Sequence, residues 1–575
     1  MFDLVIRNGV IVDGTGQPRF LGDIGIKGQR ITAVARRPQT LAGTVDAAPL
    51  GGSDYAGPVI DATGKVVAPG FFDIHSHSDR TILANRRAES SLSQGITTVI
   101  GGNCGGSAAP LNPRMKDRLA QRARFMPEAP QIERDWETVG EFLAKVEGED
   151  GGIGINFGMF VGQGTVRDFA MGHDDRSPTD EEMAVMRGAV ERAMHDGCRG
   201  LSTGRSYMPG RQAQTEEVIE LAKVAAVPQG LYCTHMRSEG NGIFEALEEA
   251  FRIGREGGLP VEIVHLKVSG KPNWGKAPRV LRMIEEARES GLDVLFDVYP
   301  YEYSQVGLLR GAMGLRDVVA AADQPAVGQP TSASTTSTSP EALEARVIAE
   351  LPRLLADPWR RSSLPNSGIW WCPKTPQYNM KSLSEVAGAM GLVELDAKGN
   401  PPAPGTEPAV FFEGLLRAAA RLLAANDGVV KTAGLMNEDE VRLIIRHPLG
   451  MFGTDASATD GSRDPLGATH PRTYGTYPRI LGKYVRDEGI LPLEQAIMKM
   501  TSLPARRAGV TDRGTIAAGQ FADVTVFDPQ TIAETATPEN PAARSTGVEY
   551  VLVNGRLAYR RGTFTDVRSG KVLRF

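Results

Sequence analysis

Cysteine is scarce in this sequence of 575 residues, which contains only Cys104, Cys198, Cys233 and Cys372. Four cysteines in so long a chain do not make the disulfide framework of a small secreted protein. Their scarcity fits a reducing compartment, where thiols stay free. Apolar residues make up 41% of the chain, which is ample for a large hydrophobic core.

Long apolar runs and an excess of one charge are also missing. No stretch approaches the roughly 18 uninterrupted apolar residues of a membrane span. The start of the chain, M-F-D-L-V-I-R-N-G, lacks the basic region and apolar core of a signal peptide. The formal net charge is −5 and the pI is about 6.0, so no electrostatic footprint for nucleic acid is present. We therefore expect a cytoplasmic protein with no membrane or nucleic-acid partner.

The two ends of the chain read as β-strands and enclose a middle of different character. Residues 1–65 contain short alternating strands, with a turn signal at Asn8-Gly9, and strands return from about residue 512. Between them, apolar strand-like runs alternate with amphipathic helices, which is typical of a parallel sheet with crossover helices. We predict an α/β protein in which residues 1–65 and 512–575 form one small β domain beside a barrel over 66–511.

Two segments have the composition of loops. Residues 324–340 read Q-P-A-V-G-Q-P-T-S-A-S-T-T-S-T-S-P, which is polar and of low complexity. Such a segment cannot bury apolar area, so we predict a flexible surface insert there. Residues 42–57 are rich in Gly, Ala and Ser, and we predict a loop.

The first candidate site lies in the stretch Val66–Asp79, which reads V-V-A-P-G-F-F-D-I-H-S-H-S-D. Side chains alternate faces along a strand, so His75 and His77 should project together from the end of this apolar run. Two neutral imidazoles side by side can serve as a pair of metal ligands. A surface turn with two unrelated histidines is the alternative, but such a turn would not need the preceding apolar strand.

Further candidate ligands stand at the ends of other predicted strands, namely Cys104, His235, His265 and Asp455. In a parallel barrel, side chains at the carboxyl ends of the strands converge on one mouth. Four imidazoles, a thiol and a carboxylate make a mixed site that suits zinc best, with iron, cobalt or manganese as alternatives. Taken singly, each residue also has a structural interpretation: a core histidine, a small buried hydrophobe or a helix cap. Three histidines without strand-end context are interpreted as surface or core residues: His173, His195 and His447.

Eight short motifs lie along the chain. They are P-G-F-F-D-I-H-S-H at 69–77, G-G-N-C-G at 101–105, L-S-T-G-R-S-Y-M-P-G at 201–210, T-H-M-R-S-E at 234–239, H-L-K at 265–267, D-V-Y-P-Y at 297–301 and H-P-R-T-Y-G-T-Y-P-R-I-L-G at 470–482, with G-T-D-A-S at 453–457. This series resembles the amidohydrolase superfamily, and more narrowly its D-aminoacylase (N-acyl-D-amino-acid deacylase) branch. The resemblance implies a distorted (β/α)8 TIM-like barrel, a small β-sandwich domain built from both chain ends, and a lid-like insertion at about 310–440.

The resemblance also implies roles for single residues. Cys104, His235 and His265 would hold a tightly bound zinc ion (Zn2+), and His75, His77 and Asp455 would form a second, weaker site. The α-carboxylate of the substrate would be bound by a group of three residues, Lys267, Tyr299 and Arg472. Tyr207 would lie near the scissile carbonyl, and Asp455 would be the catalytic acid and base.

The activity that the resemblance implies is zinc-dependent hydrolysis of N-acyl-D-amino acids to a carboxylate and a free D-amino acid. The residue types agree, because Asp455 can take and return a proton and Arg472 can bind a carboxylate in bidentate fashion. A surface ion pair is the other interpretation of Arg472, but Pro471 before it favours a rigid loop. The expected partner is a small molecule with a free carboxylate, and a homo-oligomer is left open.

Departures from the family pattern keep two alternatives open. The loop after Tyr301 reads E-Y-S-Q at 302–305, which would suit another C–N bond, such as a cyclic amide, dipeptide or carbamate. A catalytically silent scaffold is the second alternative, but it predicts lost ligands and all six are kept. Arg205, at a position that is usually apolar in the family, or Arg310 would favour an acidic substrate side chain.

Overall fold

The structure is a computed structural model. It describes residues 2–37, 39–40, 43–44, 50, 57–125, 132–148, 152–226, 230–304, 307–309, 340–349, 351–356, 364–396, 401–402, 408–426, 430–461, 469–537 and 539–575. Nearly all of the insert predicted at 324–340 and most of the loop predicted at 42–57 lie outside these residues.

Strands from both ends of the chain form one nine-stranded sheet. Its spatial order is Thr563–Phe564, Arg556–Arg560, Val548–Val553, Val524–Phe527, Val66–Pro69, Leu4–Ile11, Phe20–Lys27 and Arg30–Arg36, with Val59–Asp61 paired to Leu4–Ile11. Buried side chains from both ends, such as Ile24, Val67 and Val526, share one apolar core. Hydrogen bonds therefore join strands from the two chain ends into one continuous sheet around this core.

The predicted turn at Asn8-Gly9 is wrong. Leu4–Ile11 is a single strand, and its register with Phe20–Lys27 shifts between Ile6 and Gly9. Asn8 has a φ of 63° and its main-chain N–H donates to Asp23. The Asn-Gly pair therefore makes a β-bulge, which uses the same left-handed backbone that a hairpin turn would.

The apolar run from Val66 divides between two sheets, which the sequence did not predict. Val66–Pro69 pairs with Leu4–Ile11 and Val524–Phe527, so it belongs to the terminal sheet and not to the barrel segment. Phe71–Asp73 pairs with the parallel strand Ile96–Gly101 of the middle segment. The chain changes sheet at Gly70, where a Cβ would collide with the side chain of Thr97.

Parallel strands in sequence order form the middle of the chain. One sheet contains Phe71–Asp73, Ile96–Gly101 and Asn156–Met159, and a second contains Val161–Gly162, Gly200–Gly204, Leu231–His235, Val261–Ile263, Val294–Val298 and Gly450–Phe452. A parallel bridge between Ser76 and Ala456 links the first and last of these strands. Every residue of Ile96–Gly101 is buried, as expected for strands covered on both faces. The prediction of an α/β fold is confirmed.

Helices occupy the segments between these strands. In the middle and C-terminal parts they are Glu89–Leu92, Pro113–Phe125, Val139–Glu147, Gln163–Met171, Asp180–His195, Thr215–Ala225, Ile243–Gly257, Ala277–Glu289, Glu438–Arg446, Arg472–Arg479, Leu493–Met500 and Ser502–Arg507. A π-helical turn, Ile480–Asp487, continues from Arg472–Arg479. Asp180–His195 begins with a capping box between Thr179 and Glu182, which satisfies two N–H groups of its first turn.

The described part of the segment predicted as an insertion has its own apolar core. Its helices are Pro340–Ala349, Leu351–Leu355, Leu383–Ala389 and Ala409–Ala425, and its antiparallel strands are Gly307–Leu308, Gly368–Trp371, Lys381–Ser382 and Lys431–Ala433. Within the described ranges, no helix is both long and apolar enough to cross a lipid bilayer.

Candidate active site

Four of the predicted ligands converge just beyond the carboxyl ends of the parallel strands. Sγ of Cys104 lies 3.4 Å from Nε2 of His75 and 3.5 Å from Nε2 of His265. Oδ1 of Asp455 lies 3.4 Å from Nε2 of His75. One ligand atom from each of the four lies within 4.8 Å of the others. The arrangement brings nitrogen, sulfur and oxygen donors to one point.

Three of these four residues have an unusual backbone conformation. The φ angles are 54° at Cys104, 40° at His265 and 49° at Asp455, in the left-handed region that side chains other than glycine rarely adopt. Such strain costs about 1–3 kcal/mol per residue and occurs mainly at functional sites. Hydrogen bonds hold two of them in place: Asp455 N–H donates to the carbonyl of His75, and His265 N–H donates to Asp297.

The other two predicted ligands, His77 and His235, lie at the edges of this cluster. Nε2 of His77 is 3.0 Å from Oδ1 of Asp455. Nε2 of His235 is 3.9 Å from Glu239, and these two residues form a second candidate ligand group with His265. The two groups of candidate ligands defined by distance therefore differ from the predicted tight and weak sites, because His265 belongs to both groups.

Two carboxylates next to the ligands were not named from the sequence. Asp297 accepts from Nδ1 of His75 at 2.9 Å, and Glu239 lies 2.9 Å from Nδ1 of His265. Metal-binding histidines commonly donate their second ring N–H to a carboxylate, which fixes the ring. Both residues stand in motifs quoted above, T-H-M-R-S-E and D-V-Y-P-Y, so the motifs were the signal that could have identified them.

The electrostatic environment keeps most of these imidazoles neutral. Burial lowers the pKa of His77 and of His235 to about 4. Burial and the neighbouring charge of Lys267 hold the pKa of His265 well below its usual value. Neutral imidazole is the form that binds a metal, so these three rings are ready as ligands near pH 7.

His75 and Asp455 carry the opposite shifts. Burial disfavours a charged His75, but the carboxylates of Asp297 and Asp455 outweigh it and raise the pKa well above the usual value. Burial likewise opposes an ionised Asp455, but the charges of Arg472 and His75 hold its pKa well below the usual range. His75 and Asp455 therefore carry opposite charges that stabilise each other at the centre of the cluster.

The three residues predicted to bind a carboxylate also lie together. Nζ of Lys267 is 5.5 Å from the ring centre of Tyr299, and Cζ of Arg472 is 4.7 Å from the same centre. Within the described ranges, the buried hydroxyl of Tyr299 has no hydrogen-bond partner. Nη1 of Arg472 also lies 2.7 Å from Oδ2 of Asp455, which joins this group to the candidate metal centre.

The predicted loop at Arg472 is wrong, and so is the alternative of a surface ion pair. Arg472 is 3% exposed and begins the helix Arg472–Arg479. Its main-chain N–H donates to Nδ1 of His470, whose Nε2 donates to the carbonyl of Tyr303. This bond satisfies one of the free N–H groups at the start of the helix and positions the guanidinium.

Tyr207 borders the entrance to the site. Its ring centre is 4.4 Å from that of His235, and 45% of the residue is exposed. It lines a cavity of about 1050 Å³ together with His77, Cys104, Asp455, Arg472 and Arg80. The cavity therefore connects the candidate metal centre with solvent.

Arg205 does not face this cavity in the way the sequence suggested. Its side chain is 1% exposed, pairs with Glu249 at 2.8 Å and donates to the carbonyls of Gly210 and Ala213. The hypothesis that Arg205 favours an acidic substrate is therefore wrong, because its guanidinium is buried and paired with Glu249. Arg310 lies outside the described residues. Three histidines are interpreted from the sequence as surface or core residues. His195 and His447 lie away from the ligand cluster, whereas His173 lines the cavity.

Comparison with models of protein families shows which family the chain belongs to. The model of the amidohydrolase family matches residues 58–356 and 412–559, which is most of the chain. This chain belongs to the amidohydrolase family.

Full-length relatives of this amidohydrolase are known. A D-aminoacylase from Alcaligenes xylosoxydans xylosoxydans is 34% identical, over 100% of this chain and 97% of the relative. An N-acyl-D-glutamate deacylase from the same organism is 32% identical, over 100% and 96%. The solved structure of N-acyl-D-glutamate deacylase from Bordetella bronchiseptica, complexed with zinc and a phosphonate mimic of the tetrahedral intermediate, is 32% identical with a TM-score of 0.71 and covers 100% of both chains.

The donor set of this amidohydrolase fits a divalent transition metal. Thiolate, imidazole and carboxylate ligands together suit zinc. Nδ1 of His77 and Nδ1 of His235 are buried and, as far as the chain is described, have no hydrogen-bond partner. Burial raises the pKa of the Cys104 thiol, so the thiolate needs a nearby cation to form. The residues present thus have unused ligand capacity that a metal ion would satisfy.

Proposed function

We propose that this chain is a zinc-dependent hydrolase that cleaves the amide bond of N-acyl-D-amino acids to a carboxylate and a free D-amino acid. The observation that carries the proposal is the mixed ligand cluster of His75, Cys104, His265 and Asp455, joined through Arg472 to a buried carboxylate-binding group. The names of the full-length relatives support the same class of reaction.

Six residues would hold zinc in this proposal. Cys104, His235 and His265 would form the tight site, and the second, weaker site would consist of His75, His77 and Asp455. When bound, zinc supplies Lewis acidity, which polarises a carbonyl group and lowers the pKa of water. The carboxylates of Asp297 and Glu239 support the assignment, because each orients a ligand imidazole.

Asp455 would move the proton in the reaction. Its pKa is held well below the usual range, so it is ionised and can accept a proton from the attacking water. It would then deliver this proton to the amide nitrogen as the C–N bond breaks, because a neutral amine is a better leaving group than an amide anion. General acid–base catalysis of this kind contributes about 10²–10⁴-fold to a rate.

Lys267, Tyr299 and Arg472 would bind the α-carboxylate of the substrate. The hydroxyl of Tyr299 has no partner among the residues that the structure describes and is available as a donor, and hydrogen bonds to a charged group contribute about 1.5–3 kcal/mol each. The α-carboxylate of the substrate would be bound at one end and its scissile carbonyl would lie beside Tyr207 at the other. With both groups fixed, D and L substrates differ in the direction in which the amino-acid side chain points.

The finer description of the fold belongs to the same proposal. We infer that the parallel strands close into a distorted (β/α)8 barrel, which the bridge between Ser76 and Ala456 supports. The chain ends, 1–65 and 512–575, would form a β-sandwich domain, extended to Gly70 by the pairing of Val66–Pro69, and 310–440 would be an insertion in the barrel. A cytoplasmic location and a homo-oligomer stay predictions.

The test is the steady-state release of free amino acid from paired N-acetyl-D- and N-acetyl-L-amino acids by zinc-loaded protein, with Asp455→Asn as the variant. We expect activity on the D series and a loss of about 10²–10⁴-fold in kcat for the variant. Equal activity on both enantiomers, or full activity of the variant, would contradict the proposal. A hydrolase of another C–N bond is the alternative, and product analysis on cyclic amides, dipeptides and carbamates would identify it.

A further inference from the structure

Arg80 places a positive charge on the wall of the active-site cavity. It ends the short 3₁₀ turn Ser78–Arg80, directly after His77, and its side chain is exposed to the cavity that His77 and Asp455 also line. Its guanidinium lies over Gly106, where a Cβ would stand 2.6 Å from Nη2 of Arg80. Glycine at position 106 therefore leaves room for this side chain against the cavity wall.

The other two arginines of the cavity wall are paired with carboxylates, whereas Arg80 has no such partner in the described part of the chain. Arg118 pairs with Asp168, and Arg472 pairs with Asp455. Among the described residues, no acidic side chain lies within ion-pair distance of Arg80; the adjacent Asp79 is buried and accepts from the N–H of Gly102. A cation in a partly enclosed cavity with no protein partner can bind an anionic group of a ligand.

The position of Arg80 indicates which part of the substrate it meets. Lys267 and Tyr299 follow the strands Val261–Ile263 and Val294–Val298, whereas Arg80 and Gly106 follow the first two parallel strands. The ligand cluster joins these two sectors, because His75 and Cys104 follow the first two strands and His265 follows Val261–Ile263. When the α-carboxylate is at Lys267 and Tyr299 and the scissile carbonyl is at the cluster, the acyl chain is the part that extends toward Arg80.

The size of the cavity agrees with an acyl group larger than acetyl. Its volume is about 1050 Å³, near the upper end of the range of about 300–1,000 Å³ for small-molecule sites. An acetyl group would fill only a small part of it. A longer acyl chain would reach along the wall on which Arg80 lies.

Resting on the function proposed above, we propose that Arg80 binds a carboxylate at the far end of the acyl chain, so that the favoured substrates are N-acyl-D-amino acids with a dicarboxylic acyl group, such as N-succinyl derivatives. The planar guanidinium can hold a carboxylate through two parallel N–H···O bonds. Hydrolysis of the amide bond by water then releases the dicarboxylate and the D-amino acid, with no further reactant.

The experiment compares N-succinyl-D-methionine with N-succinamoyl-D-methionine, which has the same length and a neutral end. The measured quantity is the ratio of their kcat/KM values in the wild type, Arg80→Gln and Arg80→Lys. We expect the wild type to favour the succinyl substrate and Arg80→Gln to lower the ratio about tenfold or more, since one charged hydrogen-bonding group is lost. Arg80→Lys should give an intermediate ratio, because it keeps the charge but not the bidentate geometry.

Arg252→Gln is the matched control, since it removes the same charge from an exposed site that pairs with Glu216 and Glu256 on the outer surface. Its ratio should equal that of the wild type. A measurement without any variant is product inhibition: succinate should inhibit the wild type more strongly than succinamate does.

Three results would overturn the inference in distinguishable ways. An unchanged ratio in Arg80→Gln, with both substrates hydrolysed, removes the role of Arg80 and leaves the proposed function intact. If Arg80→Gln instead loses a preference of the wild type for N-acetyl-D-glutamate over N-acetyl-D-glutamine, Arg80 binds the side chain of the amino acid and not the acyl group. Hydrolysis of no N-acyl-D-amino acid at all removes the proposed function itself.

Discussion

Replacing Glu239 with glutamine tests most directly how the candidate metal centre and the proposed carboxylate-binding group are joined. Oε1 of Glu239 lies 2.9 Å from Nδ1 of His265 and 2.5 Å from Nζ of Lys267. Burial alone would raise the pKa of Glu239, but the charge of Lys267 and the nearby rings of His235 and His265 hold it well below the usual range. Glutamine keeps the size of the side chain and removes its charge.

The magnitude follows from what the substitution leaves behind. Lys267, whose side chain is 7% exposed, becomes a buried cation without its carboxylate, and breaking such a pair costs about 3–5 kcal/mol. His265 loses the carboxylate that orients its ring, which typically weakens metal affinity about 10–100-fold. A displaced Lys267 should also raise the KM for N-acyl-D-amino acids about tenfold, the effect of one charged hydrogen bond.

Three measurements separate these effects. Urea unfolding of the metal-free protein reports the free energy of unfolding, competition with a chelator reports zinc affinity, and steady-state kinetics report KM. Glu248→Gln is the matched control, because Glu248 lies exposed on the helix Ile243–Gly257 and such surface changes stay within about 0.5 kcal/mol.

Wild-type zinc affinity and KM in Glu239→Gln would refute this reasoning. A loss of stability alone would show that Glu239 supports packing and does not couple the two parts of the site.

Three other changes have definite expected outcomes. Cys104→Ala should lower the zinc content per chain, measured by elemental analysis, while the buried Cys198→Ala should not. Arg205→Met should lower the free energy of unfolding by about 1–3 kcal/mol, since Glu249 loses a buried partner, and leave the preference between N-acetyl-D-glutamate and N-acetyl-D-glutamine unchanged. Burial lowers the pKa of Lys499 to about 7, below about 10.4 in an unfolded chain. Between these two values the folded protein binds fewer protons than the unfolded one, so the contribution of Lys499 to stability rises with pH. The free energy of unfolding of Lys499→Met relative to the wild type, measured in urea, should therefore fall from pH 7 to pH 9.

Local pattern was enough to predict the elements that carry the site. Strands form both chain ends and alternate with helices in the middle, as the sequence predicted, because the spacing of apolar residues is a property of neighbouring positions. The same reasoning identified strand ends at His235 and near Cys104, and the order of the motifs indicated the family.

Tertiary structure decided which residues meet. Glu239 contacts His265, and Asp297 contacts His75. Arg205, a candidate substrate contact, instead pairs with Glu249. The spacing of these residues in the sequence does not distinguish a buried ion pair from a ligand-binding group. Val66–Pro69 belongs to the terminal sheet and not to the barrel segment. The pairing partner of so short a strand is decided by the packing around it and not by its own sequence. Sequence determined what each element is and which chemical groups it carries; contacts between residues hundreds of positions apart depend on packing of the whole chain, which no local pattern contains.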